Sequence, residues 1–163
     1  MKRICLIGPF TTKGGISVHL NRVSKFYTDF EFSKIDESPL NLFSTSDIFN
    51  IRSLNIFKYL SILINSDIVH VHSTPLILRF FHGFFSKLLF KKNLITIHSL
   101  TLIKNKYSLY CLRIICFLFY DKIIYVSNSI SSKVAVKGYI IPAFVPPKMD
   151  EEVDLPELLL ARL

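Results

Sequence analysis

The 163-residue chain lacks most of the marks of several common protein classes. It has three cysteines, Cys5, Cys111 and Cys116, in apolar surroundings, with neither a CxxC pair nor a His/Cys cluster at metal-ligand spacing. That excludes a disulfide framework or a zinc module and predicts reduced core thiols. Half of the residues are hydrophobic and mean hydropathy is +0.41. Even so, Lys, Arg, His or Asn break every apolar run well before the roughly 18 residues that a spanning helix requires. Behind the basic Met1-Lys2-Arg3 the apolar run covers only residues 4–7 and meets Gly8-Pro9. This is too short for a signal-peptide core, so a cytoplasmic location is expected. The dinucleotide fingerprint G-x-G-x-x-G is missing, which argues against a nucleotide-dependent oxidoreductase. A Gly-x-Ser-x-Gly elbow, a Cys/His/Asn trio and a carboxylate pair are missing too, which leaves a covalent hydrolase without support.

Acidic residues are scarce over most of the chain. Up to Lys148 there are 19 Lys and Arg against 7 Asp and Glu, whereas residues 150–163 hold five acids and one Arg. A basic body can face nucleic acid, an anionic membrane or phosphorylated ligands. No helix-turn-helix, RNP-like or zinc-finger pattern accompanies the charge, so nucleic acid is not expected. Residues 76–92 interleave Phe and Leu with Arg79, Lys87, Lys91 and Lys92. That composition suits a helix lying in bilayer headgroups, and equally a sheet-covering helix with basic residues toward solvent.

Short apolar runs alternate with helical patterns, as in a parallel sheet built from βαβ units. Strands are expected at 4–7, 30–35, 67–71, 94–97, 122–126 and 139–141. Helices are expected at 15–27, 51–65, 75–90, 107–120 and 128–136, the fourth of them buried. Residues 39–50 turn to Ser, Asn, Thr and Asp and read as a loop or short helical piece. Pro142, Pro146 and Pro147 stop regular structure and mark a linker.

Polar or glycine residues follow the strand ends where ligands bind in such sheets. Gly14 and Gly15 fall in the first strand-to-helix turn, where backbone can approach a ligand and the helix N-terminus offers N–H groups to an anion; a plain flexible loop is the alternative. His98 ends the strand at 94–97 and is followed by Ser99. Its imidazole would face the cleft and hydrogen-bond a sugar hydroxyl or phosphate oxygen, unless neighbouring backbone satisfies it. His72 and Ser73 occupy the matching strand end at 67–71. His70 and His72 alternate with Val69 and Val71 and so point to one side, with His70 the more core-like. This His-x-His pair has no third ligand at suitable spacing, so no metal is expected. Ser127 closes the strand at 122–126 as a helix cap or a ligand contact.

Taken in order, Gly14-Gly15, Asp67-Ile-Val-His-Val-His72, Ile95-Thr-Ile-His98, Val126-Ser127 and Ile141-Pro142-Ala-Phe-Val-Pro146-Pro147 resemble the N-terminal half of the retaining glycosyltransferases of family 4, which have the GT-B fold. The resemblance spans residues 4–147. It implies an α/β, Rossmann-like parallel sheet with helices on both faces, a single acceptor-side half of a GT-B architecture over residues 1–147. In that family the Gly-Gly loop lies beside the donor diphosphate and the histidine matching His98 lies near the transferred sugar. His98 is therefore the expected catalytic residue, with Gly14, Gly15, His72, Ser73, Ser99 and Ser127 as donor or substrate contacts and no cofactor. The implied partners are a nucleotide-sugar donor and a glycan or lipid-linked acceptor in surface polysaccharide biosynthesis; the composition of residues 76–92, read as a headgroup helix, adds peripheral contact at the inner face of an anionic membrane. Residues 148–163 read as a linker and the truncated start of a missing second domain, so hexosyltransferase-like activity is expected only from a chain that such a domain completes. The alternative is a non-catalytic binding module or degenerate fragment that keeps the fold without turnover.

Overall fold

The computed structural model describes residues 1–39, 48–103 and 105–142. Residues 40–47 and 143–163, with the expected linker and second-domain start, lie outside the described residues.

Ile4, Cys5, Leu6 and Ile7 are all buried in the first strand, β1 (Lys2–Gly8). A continuous apolar run of this kind belongs to a parallel strand covered on both faces. The chain continues through α1 (Gly15–Phe26), β2 (Phe30–Asp36), β3 (Ile48–Asn50), α2 (Ile56–Ile64), β4 (Ile68–Val71), α3 (Leu76–Leu88), β5 (Lys92–Ile97), α4 (Lys106–Phe119), β6 (Lys122–Tyr125), α5 (Asn128–Val134) and β7 (Tyr139–Ile140). The described strands form one seven-stranded sheet in the order β3-β2-β1-β4-β5-β6-β7, parallel throughout. This is the expected Rossmann-like α/β fold. One strand exceeds the expectation: Ile48-Phe49-Asn50, expected in a loop or short helical piece, pairs with Lys34-Ile35-Asp36 at the sheet edge.

The order reverses between β1 and β4, and the covering helices change sides there. α1 packs Leu20, Ile16 and Val23 against Ile4, Leu6, Ile68 and Leu94. The other helices pack on the opposite face against Cys5, Ile7, Val69, Val71, Ile95 and Ile97. Right-handed crossovers in both directions from one central pair place them so. Side chains start three of the helices: Asn55 accepts from Lys58 N, Asn105 from Ser108 N and Ser127 from Ile130 N, each satisfying an otherwise unpaired N–H.

Two glycines mark where elements come closest. A Cβ at Gly8 would stand 2.8 Å from Leu20 and 3.1 Å from His72, so the end of β1 lies directly against β4 and α1. A Cβ at Gly83 would meet Phe119 at 2.8 Å, which lets α3 and α4 pack closely.

Three expectations about exposure need correction. Cys5 and Cys116 are buried, but Cys111 is exposed. α4 is not a buried helix: Leu112, Ile115 and Cys116 face the core, while Tyr107, Tyr110, Phe117 and Leu118 face outward. Apolar residues line the outer face of this helix as well as its inner one, so the pattern along it does not tell the two apart. Arg79 is no surface cation. It is 1% exposed, and its Nε donates to the Ser73 carbonyl at 2.8 Å.

Candidate functional site

Crevices at strand-order reversals sit at the carboxyl ends of the strands. Here that point lies between Gly8 of β1 and His72 after β4. The loop from Gly8 into α1 is shaped by Asp36 at the end of β2. Its carboxylate accepts from Phe10 N at 2.9 Å, Thr11 Oγ1 at 2.7 Å, Ser38 N at 3.0 Å and Ser38 Oγ at 2.6 Å. Ser17 Oγ and Asn21 Nδ2 hold the Phe10 carbonyl from the helix side. Asp36 is therefore buried as a loop anchor.

The result is an α1 whose start has no side-chain cap, with Gly14 and Gly15 exposed and nothing within 4 Å of where either Cβ would stand. Neither glycine has a positive φ. Other residues could adopt this backbone, so what the pair preserves is open space over a helix N-terminus. That space suits an anion, which the first-turn N–H groups and the helix dipole favour.

The histidines gather beside it. His72 Nδ1 and His98 Nε2 are 2.9 Å apart, so one N–H is shared across the pair and Nδ1 of His98 is the nitrogen left for a ligand. His70 lies on the same side of β4, as the alternation predicts, with its ring 4.2 Å from that of His72 and its Nε2 2.8 Å from Thr96 Oγ1, but the core-like member of the pair is His72, 2% exposed, while His70 is half-buried. α1 adds a fourth ring: His19 stands 5.6 Å from both His72 and His98. Burial and the neighbouring imidazoles push His70 down to about 3 and His72 well below the ordinary value. Burial, His19 and Arg79 push His98 down to about 4. At neutral pH these rings act through hydrogen bonds, not as cations. Among the described residues no group of three or more His, Cys, Asp or Glu side chains is arranged to hold a metal ion.

Behind this edge runs a buried polar chain that sequence reasoning missed. Ser73 Oγ donates to Glu37. Glu37 Oε1 stands 2.9 Å from His82 Nε2, within ion-pair distance but off the line of a hydrogen bond. His82 Nδ1 meets Tyr59 OH at 2.9 Å. Arg79, holding the Ser73 carbonyl, feels the same Glu37 charge, and Tyr120 OH donates to the Arg79 carbonyl at 2.6 Å. These groups clamp the turn that carries His72.

The expected site residues thus divide. Gly14, Gly15, His72 and His98 converge at the reversal point. Ser73 lies beside them but is 1% exposed and directed to Glu37. Ser99, half-buried after β5, shares a 3.0 Å hydrogen bond with Thr101. Ser127 caps α5, the first of the two roles considered for it.

The architecture has solved relatives. Three crystal structures of HepE from Anabaena, in complex with UDP, with UDP and glucose, and with UDP-glucose, superpose on 88% of this chain with TM-scores of 0.64, 0.65 and 0.65. Sequence identity is 11–12%, and the chain spans 44–45% of HepE, less than half its length. The likeness is one of fold, a Rossmann-like half of a GT-B architecture. No protein-family model matches the sequence, and no curated protein sequence does. No helix of the described residues is long and apolar enough to cross a membrane.

Proposed function

We propose that the chain is the acceptor-side half of a retaining glycosyltransferase, which moves a sugar from a nucleotide-sugar to a glycan or lipid-linked acceptor in surface polysaccharide assembly. One observation carries the reading: the open, uncapped N-terminus of α1 and the His72–His98 pair meet at the strand-order reversal, in a fold shared with HepE, whose structures hold UDP and glucose. The donor diphosphate lies over Gly14 and Gly15, where backbone N–H groups take its charge. His98 Nδ1 hydrogen-bonds the sugar and orients it for attack by the acceptor oxygen, while His72 holds the ring from behind. Transfer retains the anomeric configuration and requires a second domain to grip the nucleotide.

An NMR titration of the chain with UDP-glucose tests the binding half of this reading. Weak, millimolar-range shifts at Gly14, Gly15 and His98 are expected, and unperturbed signals at all three would remove the site. Two variants then separate contact from scaffold in a protein completed by a second domain. Gly15→Val puts a branched side chain into the open space and abolishes transfer. Melting changes by less than about 1 kcal/mol, because nothing crowds the new Cβ. His98→Ala strands the His72 nitrogen and costs about 1–3 kcal/mol, yet lowers transfer per folded molecule by at least about 100-fold. Full transfer by either variant would take that residue out of the reaction.

A further inference from the structure

The outer surface of the α3–α4 layer is apolar in a way that core packing does not explain. On α4, Tyr107, Tyr110, Cys111, Ile114, Phe117 and Leu118 recur at helical spacing on the side away from the sheet, and Tyr107 and Phe117 are 84% and 79% exposed. α3 adds Ile77, Phe80, Phe84 and Leu88. The two stripes meet where Phe80 and Phe84 pack on Phe119, with ring centroids 5.4 and 6.2 Å apart. Neither helix contains an Asp or Glu. Cations stand at the rim: Lys106 before Tyr107, Lys87 beside Leu88, and Lys91 and Lys92 just after α3. Solitary exposed apolar residues are ordinary, but a contiguous patch rimmed by polar residues marks a contact surface.

We propose that this α3–α4 face docks on an anionic lipid bilayer. Charge selects the occupant. Two apolar stripes without an acid of their own, with tyrosines at one end and lysines around them, have the composition of helices lying in the headgroup plane, and Lys106, Lys91 and Lys92 at the rim are attracted by an anionic surface. The face differs from the one that composition suggested in residues 76–92. Arg79 is buried, Lys87 is paired with Asp121 at 2.7 Å and Lys91 donates to the Ile64 carbonyl, while α4, outside that segment, adds Tyr107, Tyr110, Ile114, Phe117 and Leu118 to the exposed apolar face. α4, 14 residues long, extends about 21 Å. It begins at the same sheet edge as His72 and His98, which brings that edge to the headgroups. The inference rests on the surface itself and stands whether or not the chain takes part in sugar transfer.

Cys111 offers a local readout, since Cys5 and Cys116 are buried. The 163-residue chain, labelled there with a polarity-sensitive fluorophore, is mixed with vesicles of phosphatidylcholine alone or with phosphatidylglycerol added, and sedimented at low and high salt. Pelleting with the anionic vesicles and a blue shift of the Cys111 label are expected, both weakened by salt. Tyr110→Ser/Phe117→Ser, at exposed positions, should fold normally by circular dichroism and bind at least tenfold more weakly. Val18→Ser, on the opposite face, should bind as the unaltered chain does. Equal pelleting with neutral vesicles, none at low salt, or pelleting that Tyr110→Ser/Phe117→Ser leaves intact would overturn the proposal. So would a dimer in sedimentation velocity that the same double variant dissolves, since the face would then belong to a second copy of the chain.

Discussion

Lowering the pH from about 7 to about 4.5 should lower the protein's stability steeply, with the loss beginning near 6.5, above the range where exposed carboxylates titrate. The folded chain keeps His70, His72 and His98 neutral, His70 down to about 3 and His98 down to about 4, whereas the unfolded chain protonates its histidines near 6.5. Between those limits the unfolded state binds more protons, so stability is fully present above about 6.5 and falls as pH drops through the window. Each pH unit by which an imidazole's titration is displaced is worth about 1.4 kcal/mol. Displacements in one direction at neighbouring rings therefore draw together on a domain's reserve, about 5–15 kcal/mol. Urea midpoints at pH 7, 6, 5 and 4.5 measure this directly. His70→Gln, whose amide reaches the same Thr96 hydroxyl, should flatten the dependence by about one proton. Midpoints unchanged between pH 7 and 5 would mean that the histidines take up protons in the folded chain as readily as in the unfolded one.

Removing one carboxylate behind the site should cost nearly as much. Glu37 accepts from Ser73, stands against His82 and opposes the charge of buried Arg79. Glu37→Ala leaves these groups without their counter-charge in a place water does not reach. Breaking a buried pair from one side costs about 3–5 kcal/mol, or a fall in melting temperature on the order of 10 °C for a domain of this size. Because Arg79 and Ser73 clamp the turn carrying His72, the His72 and His98 NMR signals should broaden or shift in the same variant. A loss below about 1 kcal/mol with those signals unmoved would show that the polar chain is incidental to the site.

Legibility in the sequence followed the range of the interactions. The run at Ile4–Ile7 reads as a buried strand because a strand covered on both faces needs apolar residues at nearly every position. β3 escaped because it is three residues long and follows a stretch rich in Ser, Asn and Thr; only its pairing with β2 makes it a strand. His72 and His98 stood out as polar residues ending apolar strands. Their union is a consequence of β4 lying beside β5, and His19 joins them only because α1 crosses above. Asp36 and Glu37 are neighbours in the sequence, and nothing local tells them apart. The structure turns Asp36 to the loop before α1 and Glu37 to α3 on the far side of the sheet, partners that are distant in sequence.

By itself the sequence determined the βαβ alternation, the strand ends that carry glycine and histidine, and the shortage of acid that makes the body basic, since these follow from local periodicity and composition. Tertiary structure alone decided which charges are usable and which apolar faces are left bare. Arg79 and α4 were misplaced for the same physical reason: whether a long basic side chain or an all-apolar helix lies inside or outside depends on what the neighbouring elements cover. The approach of α3 to α4 at Gly83 and the stacking of both on one face of the sheet settle that for this chain.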